Sequence, residues 1–378
     1  MQDTDQKRIK LLYVARFIPF YRGGILTRLE AQYSCRFRCQ DKEFGVGKTP
    51  DLPQLNKIKM KSIFGKFDWL PTKKNLKDFQ PDIVISELGL SFLTVFWLVF
   101  AKRIYGFKLA FWTHGLEGPR KEKKMWLSDW VRKFILEQSD AVIYYTEGCE
   151  KSSKPYLKGS RGYIATNTLD SSKLEEAWEE VGLERCRFRN AVVFIGRLVE
   201  SKRVRELLDL ARLLQDRKSS VRIQIAGGGP LESELIAEAE MCKLPVDFLG
   251  AVTKDRQKAE LLGTALAGVC LGRVGLNIVD NVCFGLPLIT LRKQDLASAH
   301  APEVDYLIDG ETGWMCEDLK EVADCILELE NDEVLRKSYQ KSCRQYFLRQ
   351  CSIERQFKGF EEFVSDVFSC SRVESTKS

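Results

Sequence analysis

Strand-like and helix-like runs alternate along the whole 378-residue chain, and this restricts the fold more than any other property of the sequence. Short apolar runs must pair in sheets, amphipathic segments must cover them, and parallel strands need crossovers of helix length. In the first half the strand runs are Lys10 to Ala15, Asp82 to Ser86, Lys108 to Thr113, Ala141 to Tyr145 and Tyr163 to Thr166, with amphipathic segments such as Trp126 to Leu136 between them. In the second half they are Ala191 to Ile195, Val221 to Ala226, Val246 to Leu249, Gly268 to Leu271 and Leu286 to Leu291. Behind the first of these, Val204, Leu207, Leu208, Ala211 and Leu214 form a helical stripe. The charged stretch Ser171 to Asn190 reads as a helix and connector between two sets of about five strands each, giving two doubly wound α/β domains. A last segment with Ile353, Phe357, Phe360, Phe363, Val364 and Val367 has a wide face to bury.

Hydrophobic content of 44% and 30% charged residues are globular values. The 59 Lys and Arg exceed the 53 Asp and Glu by only +6, too little to argue for nucleic acid and enough for a small polyanion or an acidic membrane surface. The twelve cysteines stand singly with no C-x-x-C, and Cys35 and Cys39 read as a helical i, i+4 pair; reduced thiols of a cytosolic protein fit this better than disulfides or zinc. The start MQDTDQKRIK has no apolar signal core. Leu88 to Phe100, the longest apolar run, falls short of the roughly 20 residues that span a bilayer and reads as a buried helix.

Several stretches carry residues suited to anion chemistry. Gly268 to Leu271 ends in Gly272 and Gly275, where backbone can approach a ligand, and Leu276 and Asn277 open a helix whose first amides would face an anion. Asp280, about one turn in, suits ribose hydroxyls. In Phe194 to Lys202 the strand ends at Gly196, and Arg197 and Lys202 either converge on one anion or form a solvated basic loop. Ala226 to Leu231, AGGGPL, is a tight turn centred on Gly228 with Pro230 in the first turn of the next helix, and Gly250 closes Phe248-Leu249-Gly250. Gly23 and Gly24 after the first strand form a turn or a phosphate loop. His114 sits at a strand's carboxyl end, where open sheets place ligands. His300, before Ala301-Pro302-Glu303, and Asn167 read equally as loop-ordering or sugar-contacting residues.

In order, G-R-L-x-x-x-K, G-G-G-P-L, F-L-G and the stretch Gly272 to Pro287 resemble the donor-binding signature of retaining glycosyltransferases of family 4. The family's two glutamates, seven residues apart, are replaced here by Gly272 and Asp280. The resemblance implies the GT-B fold: two Rossmann-like doubly wound domains facing a central cleft, with a C-terminal helix crossing back to the first domain. Residues 1–175 would form the acceptor domain, 176–352 the nucleotide-sugar domain, 353–370 the returning helix and 371–378 a polar tail. By resemblance, Arg197 and Lys202 grip the donor pyrophosphate, Gly23 and Gly24 lie against it, and Gly228 and Gly250 bring backbone to the nucleotide. Gly272, Gly275, Leu276, Asn277 and Asp280 meet the sugar and ribose, and His114 bonds the donor or the developing charge.

The implied activity is transfer, with retention, from a nucleotide-diphosphate sugar to a saccharide or lipid-linked saccharide in surface polysaccharide or glycolipid synthesis. No nucleic acid, no metal and no cofactor beyond the donor substrate are expected; the one D-x-D triplet, Asp3-Thr4-Asp5, lies in the polar start. The expected location is cytoplasmic, with peripheral contact on the inner membrane face. Lys121, Lys123, Lys124, Trp126, Trp130, Arg132 and Lys133 suit either an anionic membrane or ordinary solvation. A non-catalytic nucleotide-sugar-binding protein and a GT-B epimerase are the alternatives. A dinucleotide-dependent dehydrogenase is disfavoured, because no G-x-G-x-x-G follows the first strand.

Overall fold

The computed structural model describes residues 8–41, 49–116, 127–182, 188–292 and 299–375. The chain divides into two compact units: Met1–Asp170 together with Ile353–Ser378, and Ser171–Ser352. In the first unit seven strands form one sheet: β1 (Lys10–Val14), β2 (Ser34–Gln40), β3 (Leu55–Ile58), β6 (Ile83–Glu87), β7 (Lys108–Thr113), β8 (Ala141–Tyr144) and β9 (Arg161–Ile164). Their order is β3-β2-β1-β6-β7-β8-β9, parallel throughout. An antiparallel pair, β4 (Lys61–Ile63) and β5 (Phe67–Trp69), stands apart.

The second unit has β10 (Ala191–Ile195), β11 (Arg222–Ala226), β12 (Val246–Gly250), β13 (Ala267–Val269), β14 (Leu288–Leu291) and β15 (Gly313–Cys316). They run parallel in the order β12-β11-β10-β13-β14-β15. Each sheet therefore reverses its winding once, between β1 and β6 and between β10 and β13. Successive crossovers leave for opposite faces there, and such a switch point is where open α/β sheets bind their ligands.

Both faces of the first sheet are covered at its centre, which is why β1, β6, β7 and β8 read as near-continuous apolar runs. Leu11 and Tyr13 of β1 enter one core with Ile85, Trp112 and Ile25, while Leu12 and Val14 enter the other with Phe111, Val95 and Leu98. The returning helix Ile353–Ser375 adds Ile353, Phe360, Phe363, Val364 and Val367 to the first of these cores. Phe360 meets Trp112 edge-on at 5.1 Å, and Gln356 Nε2 donates to the Thr166 carbonyl at 2.7 Å. Each such buried side chain contributes about 1.5–3 kcal/mol, enough in sum to tie the chain's end to the first unit. The helix runs to Ser375, past the point where a polar tail was expected; residues 376–378 lie outside the described residues.

The expectation of about five strands per sheet was low, against seven and six. β2 was missed because its sequence, SCRFRCQ, interleaves arginines with apolar residues; Arg38 is nevertheless buried, and its Nη1 donates to the Phe37 carbonyl. Cys35 and Cys39 accordingly lie on a strand rather than on a helix, buried, with burial pushing their thiols up to about 12 and about 11. β15 and the β4–β5 pair were also unread. The run Leu88 to Phe100 becomes helix only from Thr94, and Phe96 and Phe100 on that helix are exposed. β9 begins earlier and β13 ends earlier than read from sequence. Pro230 precedes its helix, which opens at Glu232, instead of lying in its first turn. Ten cysteines are free thiols among the described residues, nine of them buried. No helix among those residues is long and apolar enough to cross a membrane.

Candidate functional site

In the second unit the predicted residues collect where the winding reverses. The loop after β10 carries Gly196 to Lys202, and the loop after β13 carries Gly272 and Gly275; β10 and β13 are hydrogen-bonded neighbours. The two loops are tied together: the Arg273 amide donates to the Ser201 carbonyl at 2.9 Å, and Lys202 Nζ donates to the Arg273 carbonyl. One of the three ammonium protons of Lys202 is thus occupied and two remain for a ligand.

Arg197 is exposed, and among the described residues its guanidinium has no hydrogen-bonding or ionic partner. Its neighbours differ: Arg203 pairs with Glu206, and Arg205 with Glu234 and Glu200. The loop therefore presents one unpaired guanidinium at the sheet's switch point. Arg273 is a second exposed arginine whose side chain has no partner among the described residues, and no sequence motif marks it.

The glycine turns pack onto this loop. The Leu198 amide donates to the Gly228 carbonyl at 3.0 Å, and the Gly227 amide donates to the Gly250 carbonyl at 2.7 Å. Gly250 has φ +65, a conformation that favours glycine. A Cβ at Gly227 would fall 1.8 Å from the Gly196 carbonyl oxygen. At Gly272 a Cβ would lie 2.5 Å from both the Ser201 carbonyl oxygen and the Lys202 carbonyl carbon. No side chain fits at 272 while the Ser201–Lys202 turn stands there. Backbone thus occupies the space a side chain at 272 would take, and the same contact packs against Lys202.

Leu276 caps a helix of one to two turns, Asn277–Cys283. The Gly275 amide is already taken by Asn277 Oδ1 at 2.9 Å. Asp280 is buried, 7% exposed, and faces Lys258 Nζ at 3.3 Å. Burial raises its carboxyl pKa, with the Lys258 charge opposing. Lys258 was invisible to the sequence reading, since only the fold brings the helix Asp255–Leu262 to it.

His300 is engaged at both ring nitrogens. Its Nδ1 accepts from the Val274 amide at 3.2 Å and its Nε2 lies 3.0 Å from the Leu291 carbonyl, so the neutral ring with the proton on Nε2 satisfies both. The Ala301 amide donates to the Val274 carbonyl at 2.8 Å. Burial, with the Lys202 and Arg273 charges, holds the imidazole below its ordinary pKa.

The first-unit candidates stand at the carboxyl ends of β1 and β7. Gly23 and Gly24 open the helix Gly23–Gln32. A Cβ at Gly24 would fall 2.7 Å from the Asp170 carboxylate and from Ile353 Cδ1, so side chains press on it, one of them an anion. His114 is half-buried after β7, its ring 6.3 Å from that of Tyr145. Asn167 is buried, its backbone N–H donating to the Tyr145 carbonyl at 3.0 Å. Asp3 and Asp5, and Lys121, Lys123, Lys124 and Trp126, lie outside the described residues.

Comparison with known proteins agrees with this architecture. Residues 187–346 match the family model described as glycosyl transferases group 1, which supports that family for the second unit. Among solved structures, a sucrose-phosphate synthase from Thermosynechococcus elongatus aligns over 96% of this chain and 100% of its own at 14% identity and a TM-score of 0.66. A trehalose 6-phosphate synthase from Burkholderia multivorans aligns over 98% of each chain at 12% identity and 0.67. Anabaena HepE, solved in complex with UDP and glucose, aligns over 94% of this chain and 99% of its own at 14% identity and 0.61. These likenesses establish the two-domain GT-B fold. No curated protein matches the chain in sequence.

Proposed function

We propose that this protein is a glycosyltransferase that takes a sugar from a nucleotide-diphosphate donor, held by the second unit, and passes it to a saccharide or lipid-linked saccharide. The observation that carries this reading is the unpaired Arg197 guanidinium on the switch-point loop, with Lys202 seated beside Gly272. The family match over residues 187–346 supports it, as does the UDP in the HepE structure. In this reading Arg197 and Lys202 neutralise the departing diphosphate, so that fixed charges stabilise the transition state. Asp280 takes the ribose, and His114 bonds the donor. Transfer proceeds with retention and without a metal ion, the acceptor hydroxyl attacking from the leaving group's side. With Gly272 closed off by backbone, sugar contacts fall to Asn277 and main-chain groups.

The acceptor reading rests on the first unit's surface. Phe96, Phe100 and Ile104 on the helix Thr94–Tyr105, and Leu127, Trp130 and Phe134 on the helix Leu127–Glu137, are exposed. Arg103, Arg132 and Lys133 share these helices, a mixture suited to an anionic bilayer carrying a lipid-linked acceptor.

The test is release of free nucleotide from a panel of nucleotide sugars with saccharide and lipid-linked acceptors, in the presence of a chelator. Acceptor-dependent release is expected. Binding without turnover would support a nucleotide-sugar-binding protein instead, and a changed sugar nucleotide without acceptor an epimerase. Co-sedimentation with anionic vesicles, weakened by Trp130→Glu, checks the membrane part.

A further inference from the structure

The first unit holds a positive charge that the proposed chemistry does not use. Arg22 closes the 3-10 turn Phe20–Arg22 after β1 and is only 6% exposed. Its Nη1 donates to the Tyr13 hydroxyl at 2.6 Å and its Nη2 to the Tyr145 hydroxyl at 3.0 Å. The guanidinium lies 4.1 Å from the centre of the Trp112 ring. Its buried Nε has no partner.

Among the described residues no carboxylate pairs with this charge. Nearby Glu87 is bound to Arg16 at 2.9 Å, and Asp170 packs against Gly24 without bonding Arg22. Tyr13 cannot supply a negative charge, because burial pushes its phenol well above the ordinary range. Donors also outnumber acceptors. A guanidinium carries five N–H protons, of which two are used here, leaving three; the Tyr13 hydroxyl accepts from Arg22, and its own proton meets no acceptor among the described residues. An arginine stripped of water with only neutral partners is a strong net cost to folding. Such a cluster becomes favourable once an oxyanion accepts the spare protons, and the planar fork matches a carboxylate or phosphate edge.

We propose that Arg22 and Tyr13, backed by Trp112 and Tyr145, form an oxyanion-binding site at the carboxyl ends of β1, β7 and β8 that takes the phosphate or carboxylate group of a small ligand. The site is complete within the first unit and does not depend on the reading of the second. Its place beyond the strand ends, beside the turn that leads into Gly23, is where open sheets receive ligands.

The experiment is thermal unfolding of the full chain carrying Arg197→Ala and Arg273→Ala, which removes both partnerless guanidiniums beside the second unit's switch point. The midpoint is followed in chloride, inorganic phosphate or glucuronate at matched ionic strength. A saturable rise of about 2–4 °C is expected in the effective anion. A response to phosphate alone assigns a phosphate ligand, to glucuronate alone a carboxylate; a response to neither overturns the proposal. Adding Arg22→Met should abolish the response and leave the chloride midpoint equal or higher, since an uncompensated charge is gone. A lower chloride midpoint with the anion response intact overturns the proposal and makes Arg22 a structural clamp. Should Arg22→Met not fold, Tyr13→Phe keeps the ring and loses the donor. It should raise the half-saturating anion concentration about tenfold, and an unchanged value overturns the proposal.

Discussion

Glycines stand beyond the strand ends in both units, and what presses on them differs. At Gly24 the neighbours are the Asp170 carboxylate and the tip of Ile353, both able to turn aside. At Gly227 and Gly272 they are main-chain atoms of the Gly196–Lys202 loop, which carries Arg197. A side chain yields by changing rotamer; a backbone fixed by sheet and loop hydrogen bonds yields only by moving the loop. Gly227 and Gly272 are thus locked against the backbone of the loop that carries Arg197 and Lys202, while the first unit's Gly24 admits a packing contact. The cations follow the same division: Arg197 is exposed and unpaired, whereas Arg22 is buried among aromatic rings.

The largest effect expected from this contrast is in turnover. Arg197→Ala should lower transfer by roughly 100- to 1,000-fold while leaving the unfolding midpoint unchanged, because the side chain is exposed and supports nothing. Near-normal rates would remove the guanidinium from the chemistry and with it the main distinction between the two loops.

Next comes Gly272. Introducing a carboxylate with Gly272→Glu should fail to raise activity and should cost about 2–3 kcal/mol in denaturant unfolding, since even the Cβ meets Ser201 and Lys202 backbone. A stable, more active variant would show that the turn gives way. Gly24→Ala sharpens the comparison. Side chains that can shift, together with the gain in helix propensity, should hold its effect within about 1 kcal/mol.

A smaller change is expected at His300. His300→Asn keeps an acceptor for the Val274 amide and loses the bond to Leu291, a loss of about 1 kcal/mol. The ring's pKa is lower folded than unfolded, so its contribution is complete above the unfolded value of about 6.5 and is lost as pH falls through the window beneath it. The wild-type midpoint should therefore decline toward the variant's on acidification. Parallel curves would mean that the ring does not hold the Gly272–Gly275 loop as a neutral staple.

Much of the fold was legible because burial on both sheet faces leaves a linear mark: β8 and the interior of β7, Leu109 to Trp112, are unbroken apolar runs, and the stripe from Val204 to Leu214 has helical spacing. β2 left no such mark, since its arginines are accommodated by local bonds such as that from Arg38 to the Phe37 carbonyl. In the candidate site, glycines and cations in ordered loops pointed to Arg197, Lys202 and Gly272. Lys258 opposite Asp280 and Arg273 beside Lys202 went unread, because each pairing joins segments far apart in sequence.

The sequence by itself determined the alternation that makes two doubly wound sheets, and the loops that follow their strands, because apolar periodicity and glycine placement are local properties. Only the tertiary structure decided which charges are paired, buried or free. Arg22 and Arg197 each stand beside a glycine in a loop and look alike in the chain. One lies against Trp112 between two tyrosines and the other stands in solvent, and that difference depends on partners the chain reaches only by folding.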